Sequence, residues 1–209
     1  MVVTSWSAWY LGHYWLLWDV IGIDQKVFSR AFGCHWDHGN HQRTDGDMAE
    51  WSLWQLVTYS DSDWGQDHEH RKSTTGYFTM LAQGITSWLS YKQKSVAFSS
   101  TEAEYIALSD CSHQLVWTSN LLCKIGFDIP VPHLYGDNLG SLFWSTNPVQ
   151  EKRSKYIDIW YNYVRDAIED DKIKPYHIDG ARNPADILTK NLGKILFHQF
   201  CPLLGLEIL

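Results

Sequence analysis

The chain has 209 residues, 44% hydrophobic and 20% charged, with a net charge of −7. This composition excludes a wholly disordered chain, and the acidic balance excludes a generic polybasic binder of nucleic acid or membranes. Four scattered cysteines, Cys34, Cys111, Cys123 and Cys201, form no C-x-x-C pair, which excludes a disulfide scaffold and a zinc ribbon and suits a reducing compartment.

Seven of the twelve tryptophans fall within residues 1–54. The chain therefore divides into a Trp-rich segment of unassigned role, 1–55, and an organised region, 56–209. Residues 1–18 carry no Asp, Glu, Lys or Arg. Thr4, Ser5, Ser7, Gly12 and His13 nevertheless break the run short of the ~20 apolar residues a membrane span needs. A basic start and a small-residue cleavage site are both missing, so the segment does not read as a signal peptide. Cys34, His35, His38 and His41 crowd together, but their spacing fits no closed four-ligand zinc pattern.

The organised region begins with a β-branched and aromatic run, 56–61, that predicts a strand ending in an acid. A polar loop follows, then strands over 74–81 and 85–92 separated by a turn at Gly84, giving an antiparallel meander. Ser99 opens a helix of about 25 residues, whose apolar positions Ala103, Ala107, Leu108, Cys111, Leu115 and Leu122 recur every three or four residues; Gly126 ends it. A fourth strand, 131–135, runs into Gly136-Asp137-Asn138. Helices over 139–144 and 157–168 precede a fifth strand, 173–178. Asn183-Pro184 predicts a capped helix start, and the apolar tail, 195–209, reads as helical. Three sequential strands followed by helix-separated strands imply a mixed α/β sheet with helices on its faces.

Acids at element ends can converge on a divalent metal, which takes oxygen ligands. Asp61 and Asp63 share one strand face, so alternation does not choose between them. Glu102 and Glu104 open the long helix. Glu104 lies on the apolar face with Leu108, Cys111 and Leu115, whereas Glu102 lies with Ser109 and His113 on the face expected to be wet. Asp137 ends a strand, and Asp186 stands three residues after Asn183. Each acid also has an ordinary explanation as a turn or cap residue.

Five ordered runs, YSDSDWGQDHEHRKSTTGY, SSTEAEYIALSD, YGDN, RSKYIDI and NPADILTK, resemble the ribonuclease H domain of copia-type retrotransposon Pol polyproteins. The resemblance covers 56–209. It implies a ribonuclease H-like fold, a mixed five-stranded sheet flanked by helices, and hydrolysis of the RNA strand of an RNA–DNA hybrid. It implies two Mg²⁺ ions, with Mn²⁺ as the alternative, and catalytic, metal-holding acids at Asp61, Glu104, Asp137 and Asp186. The implied partners are the hybrid and the reverse transcriptase portion of the parent polyprotein, with no membrane. The implied location is intracellular, in a cytoplasmic virus-like particle or the nucleus, and not secreted.

The chain departs from the family at Tyr156, Trp160 and Asn162, where members usually carry His, Arg and His. Residues 1–54 do not resemble the reverse transcriptase tail expected before Leu56. Both departures favour an alternative, a non-catalytic remnant of the fold or an unexpressed relic. Arg71, Lys72, Lys92 and Lys94 are candidate phosphate contacts, and His177 is the local candidate for a mobile histidine near the last acid. Residues 56–209 hold 14 Lys+Arg against 18 Asp+Glu. The net −4 equals the charge of the four proposed ligands, so substrate affinity is expected to be weak and salt-sensitive.

Overall fold

Runs rich in β-branched and aromatic residues build the first three strands. These are β1 (Val57–Ser62), β2 (Thr74–Leu81) and β3 (Gly84–Lys92). The computed structural model describes residues 54–82, 84–147, 155–204 and 206, without the side chains of 155–161. The Trp-rich stretch 1–53, the Cys/His cluster at 34–41, the end of the tail at 207–209, and the Tyr156 and Trp160 side chains lie outside the described residues.

Helix α1 (Ser100–Lys124) follows the meander, then β4 (His133–Gly136), α2 (Leu139–Thr146), α3 (Lys155–Glu169), β5 (Lys174–His177) and α4 (Lys194–Phe200). The sheet order is β3-β2-β1-β4-β5. The β1–β2 and β2–β3 pairs are antiparallel, and the β1–β4 and β4–β5 pairs are parallel. This is the mixed five-stranded sheet that the order of elements predicts.

Both ends of α1 are fixed by local chemistry. The Ser99 hydroxyl accepts the Glu102 N–H at 3.1 Å, and the Glu102 carboxylate accepts the Phe98 N–H at 2.8 Å, a variant of the capping box. Glu102 is therefore 4% exposed, which corrects its expected place on the wet face: the carboxylate folds back over the helix start. At the other end the Phe127 N–H reaches the Leu122 carbonyl and the Gly126 N–H that of Cys123. Gly126 takes φ +92°, the left-handed residue of a Schellman ending.

One face of the sheet is covered by helices. Leu108, Cys111, Leu115 and Leu122 of α1 bury themselves against Tyr77, Leu81, Leu134 and Val164. Trp54 packs against this cluster, its ring 5.3 Å from that of Phe127, and the Gln55 side chain donates to the Val131 carbonyl at 2.9 Å. On the other face Tyr59 stacks on Phe78 at 5.2 Å and on Tyr135 at 5.1 Å, and Tyr135 stacks on Tyr176 at 5.4 Å. Ala185 and Leu204 of the C-terminal segment cover the Tyr59–Phe78 end of this ladder.

Three expected boundaries move for physical reasons. β4 starts at His133 because Pro132 has no N–H to give; its carbonyl still accepts from Lys174 at 2.8 Å. The helix expected after Asn183-Pro184 is a five-residue 3-10 turn, Pro184–Leu188, capped by Asn183. The tail leaves α-geometry after Phe200, since Pro202 cannot continue an α-helical ladder, and Cys201–Leu204 is a 3-10 turn.

Gly76 pairs with Asp61 across β1 and β2. A Cβ at this position would stand 2.6 Å from Thr189 Cγ2 and 2.7 Å from Leu188 Cβ. The missing side chain lets the 186–190 segment lie directly on the sheet beside Asp61. Gly76→Ala is expected to lift that segment and to cost about 1–3 kcal/mol, read as a lowered urea midpoint with unchanged slope.

Candidate metal centre

Three elements end at one place. Asp61 is the penultimate residue of β1, accepts from two side-chain donors and is 0% exposed. Glu104 sits in the second turn of α1, on the face that packs on the sheet. Asp137 follows the last residue of β4. One oxygen from each of Asp61, Glu104 and Asp137 lies within 4.8 Å of the others.

Asp63, which alternation leaves equal to Asp61, goes elsewhere. Its Oδ1 accepts the Thr74 N–H at 2.6 Å and its own N–H reaches the Thr74 carbonyl at 3.2 Å. It closes the hairpin mouth between β1 and β2. Asp186 is not a member of the three-acid group. It joins the group through Lys190, whose ammonium is 2.7 Å from Asp186 Oδ1 and 3.2 Å from Asp61 Oδ1. The Thr189 hydroxyl donates to the other Asp61 oxygen. Lys190 stands four residues after Asp186 inside the NPADILTK run. That spacing puts a lysine beside an acid on a helical turn, and it is the signal by which sequence reasoning could have found this cation.

Asn183 has a wider role than a cap. Fully buried, it donates from Nδ2 to the Ser60 carbonyl at 2.9 Å and accepts the Ala185 N–H at 3.2 Å. It also hydrogen-bonds Asp137. One amide thus ties the turn carrying Asp186 to the end of β1. The chain passes Asp137 at Gly180, where a Cβ would be 3.1 Å from the carboxylate. His177 ends β5 with Nε2 3.1 Å from the Asp137 carbonyl oxygen. Among the other candidates, Lys92 pairs with Asp67 at 3.0 Å, and Lys94 lines a cavity with Tyr91, Asp110 and Trp117.

The electrostatics follow from burial and like charge. Burial, then the charges of Asp61 and Asp137, push the Glu104 carboxyl up to about 9, against the Ser62 N–H that Glu104 accepts at 3.1 Å. Burial and the Asp61 charge raise Asp137. Burial raises Asp186 to about 6, although the Lys190 bond opposes it. Burial alone would lower the Lys190 ammonium, but Asp61 and Asp186 overrule it and hold the group above the usual lysine range. The centre therefore has more negative charge than one lysine offsets. An all-carboxylate donor set with that excess suits a hard divalent cation such as Mg²⁺, not a soft thiolate-seeking metal.

No protein-family model matches the chain. It is 36% identical over 151 residues, 72% of its length, to the retrovirus-related Pol polyprotein from transposon RE2 of Arabidopsis thaliana. It is 35% identical over 152 residues to the corresponding polyprotein from transposon TNT 1-94 of Nicotiana tabacum. The matches cover 10% and 11% of those polyproteins, so the chain spans about a tenth of their length. Among solved structures, LC11-RNase H1, isolated from compost by a metagenomic approach, superposes with a TM-score of 0.50. That superposition covers 66% of this chain and 94% of the other at 16% identity. The fold is thus that of ribonuclease H. The chain is a homologue of a segment of copia-type retrotransposon Pol polyproteins.

Raised carboxyl pKa values make metal-free stability pH-dependent. Native Glu104 keeps a proton that the unfolded chain releases between about 4.5 and about 9. Its favourable contribution is complete below about 4.5 and is lost as pH rises through about 9. Urea unfolding in EDTA is expected to show stability falling from pH 5 to pH 9. Glu104→Gln is expected to flatten that slope and to be about 1–3 kcal/mol more stable than the parent at pH 8, with a weaker stabilising response to Mg²⁺.

Proposed function

We propose that this chain is a metal-dependent endonuclease that hydrolyses the RNA strand of RNA–DNA hybrids. The observation that carries the reading is the convergence of Asp61, Glu104 and Asp137 within 4.8 Å at the ends of β1, α1 and β4. These three would hold the metal. Asp186 is the fourth acid, carried by the turn that Asn183 ties to β1. A Mg²⁺ pair there, or Mn²⁺ in its place, would supply a nucleophilic water at neutral pH and charge neutralisation at a phosphodiester.

The chain's own residues prepare that chemistry. Asp61 accepts from Thr189 and Lys190, which fixes its carboxylate plane before metal arrives. The Ser62 N–H aims one Glu104 oxygen toward the end of β1. The Lys190 ammonium holds Asp61 and Asp186 together and offsets part of their charge, as a cation held by these acids would. The His177 ring, beside the Asp137 carbonyl, is the histidine at the edge of the centre through which a proton could be passed.

The substrate in this reading is an RNA–DNA hybrid recognised by shape and 2′-hydroxyls rather than by sequence. A near-neutral metal-loaded domain binds such a polyanion weakly, which suits delivery by the tethered reverse transcriptase of a parent polyprotein. No helix among the described residues is long and apolar enough to cross a membrane. The proposed location is intracellular, in a cytoplasmic virus-like particle or the nucleus.

The test is cleavage of an end-labelled hybrid by the full chain with Mg²⁺. Cutting confined to the RNA strand is expected, abolished by EDTA and reduced at least about 10³-fold by Asp137→Asn. A folded, soluble chain that cuts nothing would overturn this reading in favour of a non-catalytic remnant.

A further inference from the structure

Gln93 lies just beyond β3 and is 1% exposed. Its backbone N–H is held by the Ser73 carbonyl at 2.8 Å. Its side-chain nitrogen meets three acceptors on three elements. They are Ser62 Oγ of β1 at 3.3 Å, Thr75 Oγ1 of β2 at 3.0 Å and the Ala103 carbonyl of α1 at 2.9 Å. The reverse amide orientation would set Oε1 against the Ala103 carbonyl, acceptor against acceptor, so the nitrogen belongs on that side. The Ala103 carbonyl also has its usual place in the helix ladder and does not depend on Gln93 to be satisfied.

Two features separate this residue from an ordinary core side chain. Gln93 Oε1 is buried with no partner among the described residues. Burying an unpaired amide oxygen carries a cost of about 1–3 kcal/mol, which an apolar side chain of the same length would avoid. The acceptors, moreover, are placed where the acids are. Ser62 follows Asp61, and Ala103 precedes Glu104. Between them runs the Ser62 N–H to Glu104 Oε1 bond of 3.1 Å.

We propose that Gln93 is a positioning residue that sets the separation of Asp61 and Glu104 by clamping β1 to the first turns of α1, and so sets the affinity of the carboxylate cluster for a divalent cation. The inference rests on the metal reading given above. Gln93 touches neither acid. It acts through the residues flanking each of them, as an outer-shell group acts on a metal ligand. Without the clamp, the strand end and the helix start lose the side-chain hydrogen bonds that hold them in register, and the two carboxyl groups lose their fixed separation.

The experiment compares Gln93→Met, which keeps length and apolar packing but loses the donor, with Thr58→Val. The latter breaks the buried Thr58–Thr79 hydroxyl pair of 2.8 Å elsewhere on β1. Two quantities are read on the full chain: Mg²⁺ affinity by calorimetry, and exchange of the Ser62 amide hydrogen in EDTA. Gln93→Met is expected to weaken Mg²⁺ binding about 10-fold or more and to speed Ser62 exchange by a similar factor, with little change in melting temperature. Thr58→Val is expected to change neither. Should Gln93→Met fail to fold, Ser62→Ala removes one acceptor and is expected to show a smaller loss of Mg²⁺ affinity. Unchanged affinity and unchanged exchange in Gln93→Met, or an equal loss in Thr58→Val, would overturn the proposal. A parent chain that binds no Mg²⁺ would overturn the metal reading instead, and the Ser62 exchange rates would still decide whether Gln93 holds the two elements together.

Discussion

Crowding of three acids, two buried and one half-buried, at the end of β1 is the constraint around which the domain is built. Asp61, Glu104 and Asp137 crowd within 4.8 Å of one another, and a protein interior resists such crowding unless charge is neutralised or the framework is stiff. Each acid rides on a different element, so the repulsion acts directly against the packing of β1, α1 and β4. Lys190 offsets part of it, from a turn laid on the far face of the sheet. The remaining excess is stored as carboxyl groups that hold protons above their ordinary range.

The stiffness comes from a frame of small and amide residues around the strand end. Gly76 leaves room for Leu188 and Thr189 to lie on β2. Asn183 fastens the same segment to the Ser60 carbonyl. The stacked rings of Phe78, Tyr59, Tyr135 and Tyr176 run across four strands beneath it. On the opposite face α1 buries Tyr105, Leu108, Cys111, Leu115 and Leu122. Stability is supplied by these layers and given up at the acids, the usual division where a site carries unfavourable charge.

In the proposed function, the same charge pattern lets an acidic domain act on a nucleic acid. The excess of acids over bases in 56–209 equals the four carboxylates at or beside the centre. The surface is otherwise near balance, without the single-sign field of an autonomous nucleic-acid binder. A segment that spans a tenth of its polyprotein relatives fits that economy, because tethering raises local concentration without requiring surface charge.

Much of this was legible in the chain itself. β-branched and aromatic runs bounded by turn signals pointed to strands at 56–61, 74–81 and 85–92, close to those observed. A three-to-four period gave α1, and Glu104 fell on its buried face, because these patterns depend only on which side of an element meets the core. The ordered acid-bearing runs carried the family, and the homologous polyproteins agree with that resemblance. Position in the chain could not choose Asp61 over Asp63, because both point to one face; the hairpin mouth decided it by taking Asp63 as the acceptor for Thr74. Nor could it bury Glu102, whose carboxylate turns back to the Phe98 amide. Lys190 reaches Asp61, Asn183 reaches Ser60 and Gln93 reaches Ser62 across 129, 123 and 31 residues of chain. Those contacts exist only once the sheet brings strand ends, helix start and C-terminal turn to one point. Sequence by itself determined the elements and the acids that fit the family; tertiary structure decided which acids meet and what neutralises them, because charge and hydrogen bonding act through distance in space and not along the chain.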